Sequence, residues 1–475
     1  MMTPILHTRP LSWVAGLAGL LVCTLPLAGQ TNPQEPSDPA QQAASDAVVA
    51  PAAPEYTGPA ILSRANLPSI GPGSAPTMIQ PFFYVNQIYD TGMAVTSGTV
   101  GAPFQPVAGV ETGFGLSGTH RWRRIILDIS YDGNYRRYTQ QTPFAGTNQY
   151  LTATALIPLK RHLDLTIGQT ATSLVQGFTS LSLQPTEWFG TQLTNQPFNN
   201  RMTWFDSRVA LKYQKSRRLS FTAAVEGSVV DLASPLLVGT HGVSAMGDVA
   251  YLLTRHVSIG VDYSFAHYGY TTFGSADIST MSGNFSWRLS RTVDASLQFG
   301  VARRDILGLA LVPLDPDVAA ILGVASGIQV SRDVYNAPAF DFRLSKRWHH
   351  ATADVGFQRS TSAGNGLLLT SDATSVEAGL QYTPSRRWNF SFHAGRTQLQ
   401  ALPGMQELTS TGFTSYNNYI GDVSLTRTIG PTLQIVARFD VRPFTDLYAG
   451  YPTRTFYSSS IGFRFTPREI PVVLR

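Results

Sequence analysis

Charge is scarce in this chain: Lys, Arg, Asp and Glu make up 14% of its 475 residues, against about a quarter in an ordinary soluble protein. A soluble assembly of this length would carry more charge on its surface. The other usual home of a poorly charged chain, a bundle of membrane-spanning helices, is excluded as well. After the first thirty residues no run approaches the roughly 20 apolar residues a spanning helix needs, and mean hydropathy is only −0.02. Cysteine is nearly absent. The single thiol, Cys23, lies in an N-terminal apolar stretch, so disulfides contribute nothing once that stretch is removed. No catalytic set, nucleotide loop or cofactor motif occurs, and the expectation is a protein that is not an enzyme and carries no cofactor or metal.

The N-terminus itself reads as a secretory signal peptide over residues 1–29. His7 and Arg9 give a weakly basic start, Leu11 to Leu27 are mostly Leu, Ala, Val and Gly, and Ala28 and Gly29 close the pattern. Val22 precedes Cys23 where an acylated cysteine would follow a small residue. Residues 30–78 are rich in Pro, Ala, Gln and Ser, as in Ala50-Pro51-Ala52-Ala53-Pro54, without periodicity. They read as a disordered tether.

From about Ile79 to about Pro467 apolar residues alternate with small or polar ones. In Leu433-Gln434-Ile435-Val436-Ala437-Arg438-Phe439 the odd positions are apolar; Trp388-Asn389-Phe390-Ser391-Phe392 and Val257-Ser258-Ile259-Gly260-Val261 behave alike. Period two places one set on one face of a strand. The alternating segments run longer than the five or six residues of soluble strands and match the 9–11 needed to cross a bilayer at a tilt. With much Gly, Tyr and Phe, that leaves the closed transmembrane β-barrel.

A recurrent turn separates the strands: Leu or an aromatic, then Ser or Thr, then basic residues, as in Leu289-Ser290-Arg291 and Leu253-Thr254-Arg255. One basic landmark per turn gives Arg121, Arg161, Arg217, Arg255, Arg291, Arg347, Arg386 and Arg427, at intervals of 40, 56, 38, 36, 56, 39 and 41 residues. Each interval holds an ascending strand, a loop and a descending strand, the long ones containing loops at about 173–202 and 305–335. The predicted fold is an all-β, antiparallel up-and-down barrel of about 18 strands, with 16 as the alternative if the first, near Gln80–Asp90, is not a strand. Residues 468–475 remain as a tail.

In these features residues 79–467 resemble a Gram-negative outer-membrane β-barrel of porin size. The resemblance implies a place in the bacterial outer membrane, short turns in the periplasm and long loops outside. It implies contact with outer-membrane lipid, no dealings with nucleic acid, and possible homo-oligomers. The basic turns, with His120, His162, His256, His349 and His350, form a rim suited to anionic headgroups. His349 and His350, if on a strand, would point to opposite faces and could not share a metal.

The non-apolar parity defines a candidate lumen wall. Its acids are Asp128, Asp132, Glu226, Asp262, Asp294, Asp354, Glu377, Asp422 and Asp440; its bases are Arg208, Lys212, Arg288, Arg343, Arg396, Arg438, Arg442 and Arg464. Charges of both signs inside a barrel this wide call for water or near-complete pairing. Asn389, Ser391 and His393 share one face, but neighbours on that face lie nearly 7 Å apart, beyond the ~3 Å of a nucleophile–base hydrogen bond. The expected function is passive or weakly selective diffusion of small polar solutes. The alternative is a barrel of an envelope export or assembly system, such as polysaccharide passage, with residues 30–78 holding a periplasmic partner. In the loop at 305–335, Asp315 and Pro316 are suited to start a helical turn over Asp317 to Ile321 that Gly323 ends. Its apolar face is expected to fold inward and narrow the lumen, while Gly364 is expected to be reachable from outside.

Overall fold

The computed structural model describes residues 78–91, 106–122, 125–139, 145–175, 201–233, 237–315, 326–362, 368–402, 414–445, 454–467 and 470–471, with residues 317, 320, 321, 323, 324, 364 and 366. The expected signal peptide, nearly all of the expected tether and most of the loop expected at 173–202 lie outside the described residues.

The strands begin with β1 (Met78–Thr91), β2 (Val107–Arg121), β3 (Ile126–Tyr138), β4 (Gly146–Lys160), β5 (Leu163–Val175) and β6 (Arg201–Gln214). They continue with β7 (Leu219–Leu232), β8 (Thr240–Leu252), β9 (Val257–Tyr270), β10 (Ser275–Arg288), β11 (Val293–Pro313) and β12 (Ser326–Arg347). The last are β13 (Ala351–Ser362), β14 (Ser371–Ser385), β15 (Trp388–Ala401), β16 (Ser415–Thr428), β17 (Leu433–Thr445), β18 (Arg454–Phe465) and the two-residue β19 (Ile470–Pro471). Each strand from β2 to β17 pairs antiparallel with its two sequence neighbours, and β1 pairs with both β2 and β18. The ring is therefore closed at eighteen strands, which leaves no sheet edge in lipid. β19 is an addition the sequence reading lacked: it runs antiparallel to β1 in the same direction as β18, with Ile470 and Pro471 paired to Ile79 and Met78, one residue out of step.

Alternation decides which face meets which medium. In β1, Phe82, Tyr84, Asn86, Ile88 and Asp90 are buried, while Phe83, Val85 and Tyr89 are about half exposed. The exposed set continues round the wall through Val261, Met281, Phe299 and Phe439. Such an outward apolar band is what a lipid environment demands and water would penalise. The barrel is thus of the outer-membrane type.

Short turns gather at one rim, at 122–125, 161–162, 215–218, 253–256, 289–292, 348–350, 386–387 and 429–432. Their recurrent Ser or Thr has a job: its side-chain oxygen accepts the backbone N–H two residues on. Ser290 Oγ accepts from Thr292, Thr254 Oγ1 from His256, and Ser216 Oγ from Arg218 and Leu219, at 3.1–3.2 Å. This local bond replaces ladder partners the chain loses on reversing. Lys346 over Trp348 and Arg427 over Trp388, 5.0 and 4.9 Å from the ring centres, mark an interfacial belt. The His349 and His350 rings are edge to face at 4.2 Å, not on opposite faces, because they sit in a turn rather than on a strand.

The expected loop at 305–335 is mostly strand. β11 and β12 are 21 and 22 residues long and stay paired from Val293↔Lys346 to Pro313↔Ser326. At the tip the Asp315 carboxylate accepts the Asp317 N–H at 3.0 Å, residues 317, 320 and 321 are helical, and Gly323 takes φ +68°. The expected inward fold is not what the structure has. Asp315 and Asp317 are exposed and Ile321 is 83% exposed, because the paired strands carry the turn away from the barrel instead of over its mouth.

Candidate functional site

The candidate site is the lumen, and its two halves differ. Toward the long-loop rim one apolar cluster joins inward residues of opposite walls, among them Trp204, Tyr268, Ile278, Ile306, Leu399 and Phe444. Two connections enter it from above: Leu237 and Val238 between β7 and β8, and Leu368 and Leu369 between β13 and β14. They are tied together where Val238 N–H donates to Gly366 O at 3.0 Å. Thr370 N–H donates to Tyr270 Oη at 2.9 Å, and the two hydroxyls are in contact as well. Gly364 has φ +99° and Gly366 +85°; a Cβ at Gly364 would fall 2.6 Å from Leu368 O. Glycine is what lets this connection bend inward. Gly364 is therefore buried, which corrects its expected exposure, and the lumen narrows at 364–370 and 237–238 instead of at 312–324.

Elsewhere the wall is polar and paired. On β1 to β4, Tyr84 donates to Asp132 at 3.0 Å, Asn148 to Asn134 at 2.8 Å, Asn86 to Glu111 at 3.2 Å and Arg136 Nε to Glu111 at 2.5 Å. Glu111, Arg136 and Asp90 are buried lumen ions that the sequence reading missed; the signal was the alternation flanking Glu111, in a strand whose neighbour was held uncertain. On β16 and β17, Asp422 and Asp440 stand directly opposite one another. Arg438 Nε bridges them at 2.6 and 3.0 Å. On β9 to β11, Asp262 accepts from Ser282 at 2.9 Å and from Gln298 at 3.3 Å.

The remaining candidates also lie on the inward parity. Arg288 and Arg347 hold Asp294 at 3.2 and 2.7 Å, near the short turns. Asp128 accepts from Thr119 at 2.5 Å. Glu226 is buried, 4% exposed, on β7 opposite Arg208 in the register. Arg343 meets Asp341 at 3.4 Å, and Glu377 meets His393 at 3.5 Å. Asp354 is exposed on β13 and occupies the space that a side chain at Gly379 would fill. Arg396 is corrected: it shares the parity of outward Phe390 and Phe392, lies 5.6 Å from the Tyr419 ring and donates to Asn417 at 3.0 Å. Asn389, Ser391 and His393 have separate partners, Thr383 at 3.3 Å, Ser424 at 2.6 Å and Glu377. They do not form a relay.

No family model matches the chain, and neither does any curated protein. Among solved structures it is similar to OpdQ of Pseudomonas aeruginosa, at 11% identity, TM-score 0.41, over 82% of this chain and 97% of that one. It is likewise similar to OccAB4 of Acinetobacter baumannii, at 10% identity, TM-score 0.42, over 83% and 99%. The ferric-catecholate import receptor Fiu of E. coli scores alike, at 8% identity, TM-score 0.41, over 83% and 82%. At such scores the likeness says nothing that the chain's own strand pairing does not.

Proposed function

We propose that the barrel is an outer-membrane channel for passive or weakly selective diffusion of small polar solutes, with its short turns in the periplasm. One observation carries the reading. Inside the closed ring, away from the apolar cluster, Arg343, Glu377 and His393 keep 47%, 41% and 39% of their side-chain surface exposed. Charged groups exposed within a ring need water, since an isolated ion in a dry interior is very costly. A wet, polar lumen that narrows against an apolar shoulder favours small, polar passengers. The paired charges of both signs give it little preference for one ion sign.

Single-channel recording in planar bilayers tests this. The refolded full chain should conduct. A variant in which 364–369 are replaced by a two-residue turn should conduct several-fold better with the barrel intact. A correctly folded barrel that never conducts would overturn the channel reading. The alternative of an export or assembly barrel rests on residues 30–78 as a partner tether. Deleting that segment leaves a simple channel's conductance unchanged, whereas an export component loses its partner.

A further inference from the structure

Among the described ladders the longest stretch of strand without a second partner borders a break between β12 and β13. β12 and β13 share eight rungs, from Phe340↔Arg359 to Arg347↔Thr352, whereas β11 and β12 continue for 21. Residues 326–339 thus have β11 on one side and no ladder partner on the other. The last residues of β13, Ser360 to Ser362, pair with β14 alone. The break lies toward the long-loop rim.

Its lining has more donors than acceptors. Arg304 of β11 reaches into it, with Nη2 on the Asp372 carboxylate and its guanidinium 5.4 Å from the Tyr335 ring centre. Arg304 is 1% exposed, yet its Nε and Nη1 have no acceptor. Arg359 shares the same carboxylate at 3.8 Å, and its buried Nε also lacks an acceptor. The hydroxyls of Ser360 and Thr361 are buried without partners. Asp333, a second acid on this strand, accepts from Ser331 at 3.2 Å. Two guanidiniums converge on one carboxylate and leave three guanidinium nitrogens without an acceptor. Buried donors of this kind are strongly disfavoured unless something occupies them.

We propose that this break binds an oxyanion of the phosphate type. A tetrahedral oxyanion brings several acceptor oxygens and the negative charge that the Arg–Asp–Arg group is short of. Guanidinium forks suit it better than any other side chain. Water could satisfy single N–H groups but not the charge. Entry needs only the unpaired end of β13 to part from the hairpin, and no β12–β13 rung has to break for that. Arg304 lies about as far from the short turns as a strand needs to cross a bilayer, ~9–11 residues. The donors therefore sit at the level of lipid phosphates as well as within reach of free phosphate. The lipid source rests on the orientation proposed above; the free one does not.

The test uses the full chain in detergent and inorganic phosphate at fixed ionic strength, with chloride as the control. Binding read by calorimetry should saturate. It should weaken at least tenfold in Arg359→Gln, which is partly exposed and leaves the Arg304–Asp372 contact in place. It should weaken similarly in Arg304→Lys, which keeps the charge and loses the fork. Arg332→Gln, whose side chain is 68% exposed and bonded to Asp305 instead of Asp372, should bind as the unaltered chain does. Vesicles of a phosphorylated outer-leaflet glycolipid, compared with the dephosphorylated lipid, separate the sources: retention of the phosphorylated form alone, lost in Arg359→Gln, assigns the headgroup. Saturation by inorganic phosphate without lipid discrimination assigns the free ion. Absence of both, or binding undiminished in both Arg359→Gln and Arg304→Lys, overturns the proposal.

Discussion

Adjacent residues on β15 give the sharpest test of where lipid ends and lumen begins. Phe392 is 46% exposed on the outer face, and His393 points inward beside Glu377 at 3.5 Å. Phe392 lies four residues beyond Trp388 at the short-turn rim. At about 3.3 Å per residue and a tilt of about 40°, that is ~10 Å into the membrane. The apolar band is about 25 Å tall, so Phe392 sits close to its middle. Lysine there should cost about 2–4 kcal/mol, a shift of roughly 30- to 700-fold in the folding equilibrium. His393→Lys should stay within about 0.5 kcal/mol, because the new ammonium reaches water and Glu377. Urea unfolding in lipid vesicles, followed by tryptophan fluorescence, measures both. The same arithmetic places Ile259 and Ile435, two residues beyond their turns, nearer the interface, where lysine should cost only about 0–1 kcal/mol. Equal losses at Phe392 and His393 would refute a lipid-facing wall.

Three other outcomes follow from particular contacts. Arg438→Met should cost about 3–5 kcal/mol, since Asp422 and Asp440 then face each other without their shared cation; adding Asp422→Asn should recover much of it, and a harmless single substitution would show that the bridge is not coupled to stability. Ser216→Ala should lose about 0.5–1.5 kcal/mol in the same assay, because its oxygen accepts two backbone N–H groups; a loss of nothing would remove the physical reason for Ser and Thr at these turns. On intact cells, impermeant thiol reagents should label Val324→Cys, which is 51% exposed at the hairpin tip, and spare Ser290→Cys and Ser385→Cys; labelling of the turn cysteines alone would reverse the orientation.

The strand count was legible because two independent periodicities agree on it. Alternation names the faces, and the Ser/Thr–basic turns mark every second strand end, so eight turns and two outer strands give eighteen without any tertiary information. The constriction was not legible in the same way. Both 311–322 and 363–370 combine turn residues with leucines, and only the first carries a helix start, Asp315-Pro316. What separates them is what flanks each: Leu307, Leu309 and Leu311 alternate on toward Ile328 and Val330 across the tip, which is strand continuing. The sequence Leu367-Leu368-Leu369 does not alternate and follows two glycines, both at positive φ, +99° and +85°. Adjacent leucines cannot share one face of a strand, and Leu368 and Leu369 are both buried in the lumen cluster, off the ladder. Parity alone likewise could not say which inward charges are dry. Glu111 and Arg136 meet because the β2–β3 register sets them opposite each other, while Glu377 and Arg343, on the same parity of other strands, stay wet.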